Sequence, residues 1–276
     1  MSEQNRNLAV RVVTALGLFP LAVWFTWLGG LPFAILVALV GLISGTELVL
    51  MFDRRLRATG LLGLLLAGVL PLGAWLAWRA GSSFSASHAV LAAALATVAL
   101  LVAALFQKGS LEEAPRSAGM GALACGYAGV LPASVVWLRL QHDWQWVILL
   151  FVVSWANDTL AYFAGRFLGR HKLAERISPK KTWEGVAGGT VGSVAGALAV
   201  KALFLPSVPV AACAAIGLGG AVLAPLGDLS ESMLKRAAGV KDSGKLVPGH
   251  GGLLDRIDAV LFVAPWVWAC ALWMAR

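Results

Sequence analysis

The chain has 276 residues, and its composition is strongly apolar: 59% of the residues are hydrophobic and only 13% are charged. Soluble domains carry about 25% charged residues, and the mean hydropathy of this chain is +0.80. So few polar side chains could not cover the surface of a soluble globule of this size. The composition therefore excludes a secreted disulfide scaffold, a disordered chain and a free cytosolic enzyme, and it predicts an integral membrane protein.

Apolar segments of roughly 20 residues, the length that crosses the hydrocarbon core of a bilayer, recur along the whole chain. They predict an all-α, polytopic integral membrane protein with about nine transmembrane helices. The predicted spans are 9–28, 31–51, 60–78, 88–107, 119–139, 145–166, 183–205, 208–226 and 258–275.

The basic residues indicate how these spans are oriented. With the N-terminus in the cytoplasm, only four of the 22 Lys and Arg residues lie outside, namely Arg79, Arg139, Lys201 and Arg276. Such an asymmetry follows the positive-inside rule, so we expect a cytoplasmic N-terminus and a C-terminus outside. The net charge of +8 mostly anchors and orients the chain, and no nucleic-acid-binding module accompanies it.

A polar segment links the predicted sixth and seventh spans. Asp158 lies about two turns inside the sixth span, where an acidic residue is costly and by default indicates function. The alternative is a structural ion pair between Asp158 and Arg166 that joins two helices.

Ser178 and Pro179 have the pattern of a helix N-cap followed by proline at the first helical position. This pattern places Lys180 and Lys181 in the first helical turn, where cations oppose the helix dipole. We therefore expect an anion between these lysines and the free N–H groups of the turn, although phospholipid head groups could satisfy them equally well.

The polar segment between the last two predicted spans is the most informative part of the chain. Asp228 lies at the end of one span, and Asp255 and Asp258 lie three residues apart at the start of the next, on one helix face. If the two spans form a hairpin, the three carboxylates converge beside Lys235, Arg236, Lys241 and Lys245. Carboxylates among cations are typical of a magnesium–phosphate site, and the alternative is a solvated basic loop with acidic counter-charges.

Glycines surround His250 just before the last span. Their bare backbone N–H groups could approach an anion, and His250 could bridge phosphates or simply cap the span. Motifs of other enzyme classes are absent: the sequence has no GxxxxGK[ST] loop, no HExxH or CxxC spacing and no GxSxG elbow. An ion-coupled transporter would use Glu47, Asp158 and Asp228, but the chain shows no internal repeat.

Two motifs in these polar segments resemble those of a known family. The stretch from Ser232 to Asp258, SxLKRxxxxKDxGxxxPxHGGxxDRxD, and the upstream block WxxDTxAYxxGR…SPKKTxEG are similar to the signatures of the phosphatidate cytidylyltransferases, also called CDP-diacylglycerol synthases. Members of that family transfer CMP from CTP to phosphatidate at the inner leaflet. They release pyrophosphate, and they form CDP-diacylglycerol for phospholipid biosynthesis.

The resemblance implies a multi-pass protein of the cell (inner) membrane, a homodimer with its active site facing the cytoplasm. It implies Mg²⁺ as cofactor, with a second cation left open, and CTP, phosphatidate and the bilayer as partners. We expect residues 1–140 to form the lipid-groove region and 141–276 the catalytic region, with cytoplasmic loops 166–182 and 227–257. A related membrane enzyme that uses CTP on another isoprenoid lipid stays an alternative.

The same resemblance, together with the chemistry of the two segments, predicts the site residues. The predicted metal ligands are Asp228, Asp255 and Asp258. The predicted catalytic residues are Asp228, Asp255, Lys235, Arg236, Lys241, His250 and Arg256. The predicted substrate-binding residues are Asp158, Ser178, Lys180, Lys181, Ser232 and Asp242.

Overall fold

The computed structural model describes residue 17 and residues 19–53, 56–81, 86–107, 110–246 and 251–275. The described chain is helical apart from one short β-hairpin. This architecture confirms the predicted all-helical fold of a polytopic membrane protein, because its helices are long and apolar.

The first half of the chain forms six helices and one π-helical turn. They are α1 (Phe19–Leu28), α2 (Gly30–Phe52), α3 (Ala58–Arg79), α4 (Ala86–Leu105), α5 (Glu113–Cys125), the turn Gly126–Val130 and α6 (Leu131–Gln141). The turn continues α5 directly into α6, so that Glu113–Gln141 is a single helical span of 29 residues.

The second half contains four long helices and the hairpin. They are α7 (Trp144–Phe167), β1 (Lys172–Ala174), β2 (Ser178–Thr182), α8 (Trp183–Phe204), α9 (Val210–Ala237) and α10 (Leu254–Met274). The strands β1 and β2 pair antiparallel, with Lys172 opposite Thr182 and Ala174 opposite Ser178.

Seven helices in the described part of the chain are long and apolar enough to cross a membrane. They correspond to the predicted spans 31–51, 60–78, 119–139, 145–166, 183–205, 208–226 and 258–275. The predicted first and fourth spans overlap α1 and α4, whose apolar stretches Phe19–Leu28 and Val90–Leu105 are shorter. Residues 9–16 of the first span lie outside the described residues, and the total of nine spans stays a prediction.

The chain divides into two compact units. The first comprises residues 1–140 and 243–254, and the second comprises residues 141–242 and 255–276. The predicted cytoplasmic loop 227–257 is thus divided between the two units, because its described residues 243–246 and 251–254 belong to the first.

Glycines allow close helix packing in the first unit. A Cβ atom on Gly63 would lie 2.9 Å from the Cα atom of Gly121, and one on Gly129 would lie 2.9 Å from the Cα atom of Ala67. Contacts this short leave no room for a side chain, so the backbones of α3, α5 and the π-helical turn approach each other directly.

Glycines also allow α7 and α8 to pack closely in the second unit. A Cβ atom on Gly188 would lie 2.9 Å from the carbonyl oxygen of Leu160, and one on Gly189 would lie 2.9 Å from Asn157 Nδ2. Asn157 donates to Ser193 Oγ (3.2 Å), and Ser193 donates to the carbonyl of Val153 (3.0 Å). Small residues and a buried polar pair therefore fix α8 against α7.

Two local predictions are wrong. Ser178 and Pro179 do not begin a helix, because residues 178–182 pair with β1 as a strand. Thr182 is the N-cap of α8 instead, and its Oγ1 accepts from Gly185 N–H (3.1 Å). The eighth span also does not end at residue 226: α9 continues to Ala237 and carries Asp228 within the helix.

Candidate active site

A cavity of about 640 Å³ lies in the second unit, between the hairpin and the ends of α7, α8, α9 and α10. Five cationic and five acidic side chains line it: Arg166, Lys180, Lys181, Lys235 and Arg256, and Asp158, Asp228, Glu231, Asp255 and Asp258. Most residues predicted for the site are therefore brought together in one place.

Lys181 connects the hairpin to α9 across this cavity. Its Nζ lies 2.7 Å from Asp228 Oδ2 and donates to the carbonyl of Pro225 (3.3 Å). The second oxygen of Asp228, Oδ1, accepts from Ser232 Oγ (3.2 Å). Asp228 is held from two sides by these contacts, and its side chain still keeps 37% of its surface exposed.

Lys235 lies deeper and connects α9 to α10. Its Nζ lies 2.5 Å from Glu231 Oε2 and 2.5 Å from Asp255 Oδ1, and all three side chains are largely buried. Burying three charges is unfavourable unless they compensate one another closely, and here a single ammonium group contacts both carboxylates. The second oxygen of Glu231, Oε1, has no hydrogen-bond partner among the described residues.

Glu231 is a site residue that the sequence pattern did not predict. The signal was present, because Asp228, Glu231 and Lys235 follow one another at i, i+3 and i+7 and so share a helix face. Hydropathy hides this pattern, because it places the end of the span before these residues, whereas α9 continues through all three.

Asp158 and Asp258 complete the acidic lining. Asp258 is 9% exposed, and its Oδ1 accepts from Ala259 N–H (2.8 Å). Asp158 and Arg166 both line the cavity, but Arg166 donates to the hydroxyl of Tyr162 (2.7 Å). No ion pair joins Asp158 to Arg166 in the described structure, so the structural alternative for Asp158 is not observed.

Several predicted site residues lie away from the cavity lining. Arg236 is exposed and donates to the carbonyl of Val240 (3.1 Å), and Ser232 contributes only through Asp228. Ser178, Lys241 and Asp242 are also outside the lining. His250 lies outside the described residues, and its role stays a prediction.

The donor atoms of the cavity fit a magnesium ion in type. No group of three or more His, Cys, Asp or Glu side chains in the described residues is arranged to hold a metal ion. Mg²⁺ in nucleotide sites is usually bound by one or two carboxylates together with substrate phosphates, so a complete protein cage is not required. Asp228 and Asp258 line the same cavity and offer such carboxylates.

Glu47, whose role the sequence left open, binds residues of the segment 243–254 within the first unit. Its Oε1 accepts from Leu253 N–H (2.9 Å), and its Oε2 accepts from Leu254 N–H (2.9 Å) and Ser243 Oγ (3.0 Å). Gly252 packs directly against this carboxylate. A buried acid on α2 thus holds both ends of the segment 243–254.

Comparison with known proteins agrees with the composition of this cavity. Residues 9–273 match the model of the cytidylyltransferase family. A phosphatidate cytidylyltransferase of Brucella abortus biovar 1 (strain 9-941) is 36% identical over 270 residues, which cover 94% of this chain and 91% of the relative.

Two further relatives extend the comparison. A phosphatidate cytidylyltransferase of Bacillus subtilis (strain 168) is 36% identical over 245 residues, covering 87% of this chain and 88% of the relative. One from Synechocystis sp. (strain ATCC 27184 / PCC 6803 / Kazusa) is 50% identical over 122 residues, covering 44% and 41%. A family match over nearly the whole length, together with these relatives, shows that the chain belongs to the cytidylyltransferase family.

Proposed function

We propose that this protein transfers CMP from CTP to phosphatidate and so forms CDP-diacylglycerol and pyrophosphate. The observation that carries the proposal is the cavity of the second unit, in which cations and carboxylates lie together at the ends of helices long and apolar enough to cross a membrane. The names of the relatives support the same reaction. Phosphate groups of a nucleotide and of a lipid are the anions that such a cavity suits.

The reaction joins two highly charged molecules. A phosphate oxygen of phosphatidate forms a bond to the α-phosphorus of CTP, and the bond from that phosphorus to the β-phosphate oxygen breaks. Pyrophosphate leaves with the electron pair. Little covalent chemistry is required of the protein, so rate enhancement comes from positioning and charge neutralisation.

The lysines of the cavity supply that neutralisation. Lys181 and Lys235 are paired with carboxylates at 2.5–2.7 Å. When phosphate oxygens enter, each ammonium group can exchange a carboxylate for a phosphate, and the carboxylate becomes available to a metal ion. Lys180 and Arg256 add positive charge to the same lining.

We assign Mg²⁺ to the carboxylates Asp228, Asp255 and Asp258, together with the substrate phosphates. When bound, the ion supplies positive charge to phosphate oxygens that the lysines do not reach. Glu231 keeps Lys235 in the cavity through its short ion pair. Asp158 faces the same space and would orient the lipid phosphate or assist the metal.

The proposal includes a topology. Nine spans with the N-terminus in the cytoplasm place the hairpin and both ends of the α9–α10 connection on the cytoplasmic side of the inner membrane. CTP then enters from the cytosol and phosphatidate from the bilayer. A homodimer and a second cation are further expectations from the family resemblance.

Turnover of the purified protein in detergent tests this proposal. CTP labelled at the α-phosphate or at the γ-phosphate would be supplied with phosphatidate and Mg²⁺. Cytidylyl transfer places only the α label in the lipid, whereas a CTP-dependent lipid kinase would place only the γ label there. Absence of labelled lipid at every Mg²⁺ concentration would contradict the proposed reaction.

A pair of variants tests the site. Asp255→Asn removes a charge that compensates Lys235, and we expect kcat/KM to fall about 100-fold. Asp143→Asn is the matched control, because Asp143 precedes α7 and does not line the cavity. If Asp255→Asn turned over as fast as the control, the proposed reaction would stand, but the assignment of this site would be contradicted.

A further inference from the structure

The hairpin that supplies Lys180 and Lys181 is held at its base by Glu184, in the first turn of α8. Glu184 Oε2 accepts from the N–H groups of Arg170 (3.1 Å) and His171 (3.2 Å). Glu184 Oε1 lies 2.6 Å from His171 Nδ1. One carboxylate therefore binds two successive backbone groups and one side chain just before β1.

The base of the hairpin is also closed through the backbone. Trp183 N–H donates to the carbonyl of His171 (3.0 Å), and Lys172 pairs with Thr182. Two-stranded hairpins are marginally stable by themselves, so their position depends on such external contacts. Glu184 connects residues 170–171, which precede β1, to α8, which follows β2.

Correct placement of this hairpin matters for the cavity. Leu173 of β1 and Lys180, Lys181 and Thr182 of β2 all line it. Lys181 reaches Asp228 on α9 at 2.7 Å. Displacement of the hairpin would break this ion pair and withdraw two cations from one wall of the cavity.

We propose that Glu184 is a positioning residue: it holds Lys180 and Lys181 where they bind substrate phosphates. The inference rests on the proposed function. Glu184 itself does not line the cavity, so it acts through the backbone of Arg170 and His171. Its loss displaces the lysines while the packing of α7 against α8 remains, because glycines and the Asn157–Ser193 pair maintain that packing.

Glu184→Gln tests the proposal, with Glu175→Gln as the matched control. Glu175 lies in the turn of the same hairpin, is exposed and does not line the cavity. We expect Glu184→Gln to weaken CTP binding and raise the KM for CTP about tenfold, with a smaller change in kcat. We expect Glu184→Asp, which keeps both acceptor oxygens, to recover part of this loss, and Glu175→Gln to behave as the parent.

Hydrogen exchange measured by mass spectrometry separates positioning from general destabilisation. In Glu184→Gln, amide exchange should accelerate about tenfold or more in residues 170–182 and stay unchanged in α7 and α9. If the substitution unfolds the protein globally, His171→Ala provides the test, because it removes only the side-chain contact and should give a smaller acceleration confined to the same residues.

The outcomes separate this inference from the proposed function. Unchanged exchange in residues 170–182, or an unchanged CTP affinity despite faster exchange, would overturn the positioning role. CTP affinity is measured by direct titration, so this result does not depend on turnover. Parent protein that binds CTP but labels no lipid would contradict the proposed reaction and leave the positioning role intact.

Discussion

Two carboxylates, one in each unit, both accept hydrogen bonds from backbone N–H groups but differ in their exposure to solvent. In the first unit, Glu47 is 9% exposed and holds the segment 243–254 through two N–H groups and a hydroxyl. In the second unit, Glu184 is partly exposed and holds the base of the hairpin.

The difference determines what each carboxylate contributes. Donors that lose a buried acceptor stay unsatisfied, and each costs the desolvation free energy of its N–H or O–H group. Donors at an exposed site bind water instead, so losing their acceptor costs little stability. The segment that carries these donors is then no longer held in position. We therefore expect Glu47 to determine the free energy of unfolding of its unit, and Glu184 to determine where two lysines lie.

The largest expected effect comes from removing the buried carboxylate. Glu47→Ala leaves the N–H groups of Leu253 and Leu254 without the carboxylate that accepts from them, and it removes one hydrogen bond of Ser243. We expect the free energy of unfolding in mild detergent to fall by about 3 kcal/mol. Denaturant titration measures this change, and hydrogen exchange should accelerate in the described part of 243–254.

Glu112→Ala is the control for this substitution. Glu112 lies in the same unit, at the exposed N-cap position of α5, and makes no capping hydrogen bond there. We expect a change within about 0.5 kcal/mol for such a surface substitution. Equal unfolding curves for the two variants would contradict the role assigned to Glu47.

A smaller effect is expected from crowding the same carboxylate rather than removing it. A Cβ atom on Gly252 would lie 2.5 Å from Glu47 Oε2, so Gly252→Ala must displace the segment or the carboxylate. Overpacking of this kind costs about 2 kcal/mol. Thermal or denaturant unfolding of the purified variant measures the loss.

The matched glycine substitution for this prediction is Gly119→Ala in α5. An added Cβ there meets no atom within 4 Å, and Ala favours a helix over Gly by up to about 1 kcal/mol. The two Ala variants should therefore change stability in opposite directions. A neutral Gly252→Ala would show that the segment adapts freely and is not fixed by Glu47.

The sequence predicted the helices far better than it predicted the contacts of Glu47 and Glu184. Apolar runs reveal membrane-spanning helices because their length is set by the bilayer. The end of α9 was missed because hydropathy falls at Gly227, although the helix continues with Asp228 and Glu231 on one face. Local patterns therefore locate the apolar part of a helix and underestimate its polar extension.

Contacts between distant parts of the chain explain the other differences. Ser178 and Pro179 have the chemistry of a helix start, but pairing with β1 overrides it. Glu47 and Ser243 are separated by 196 positions, so no local pattern could show that they meet. Asp228, Asp255 and Asp258 were found because charge in an apolar chain is conspicuous, and all three line one cavity.

The smallest expected effect concerns the buried end of the hairpin. Thr182 is 5% exposed and caps α8 through the bond from Gly185 N–H to its Oγ1 (3.1 Å). Thr182→Ala removes this acceptor and should lower the free energy of unfolding by about 1 kcal/mol. Thr182→Ser keeps the hydroxyl and should restore most of the loss, because the cap depends on the oxygen and not on the methyl group. If Ser and Ala were equally destabilising, packing of the methyl group and not capping would hold this end of the hairpin.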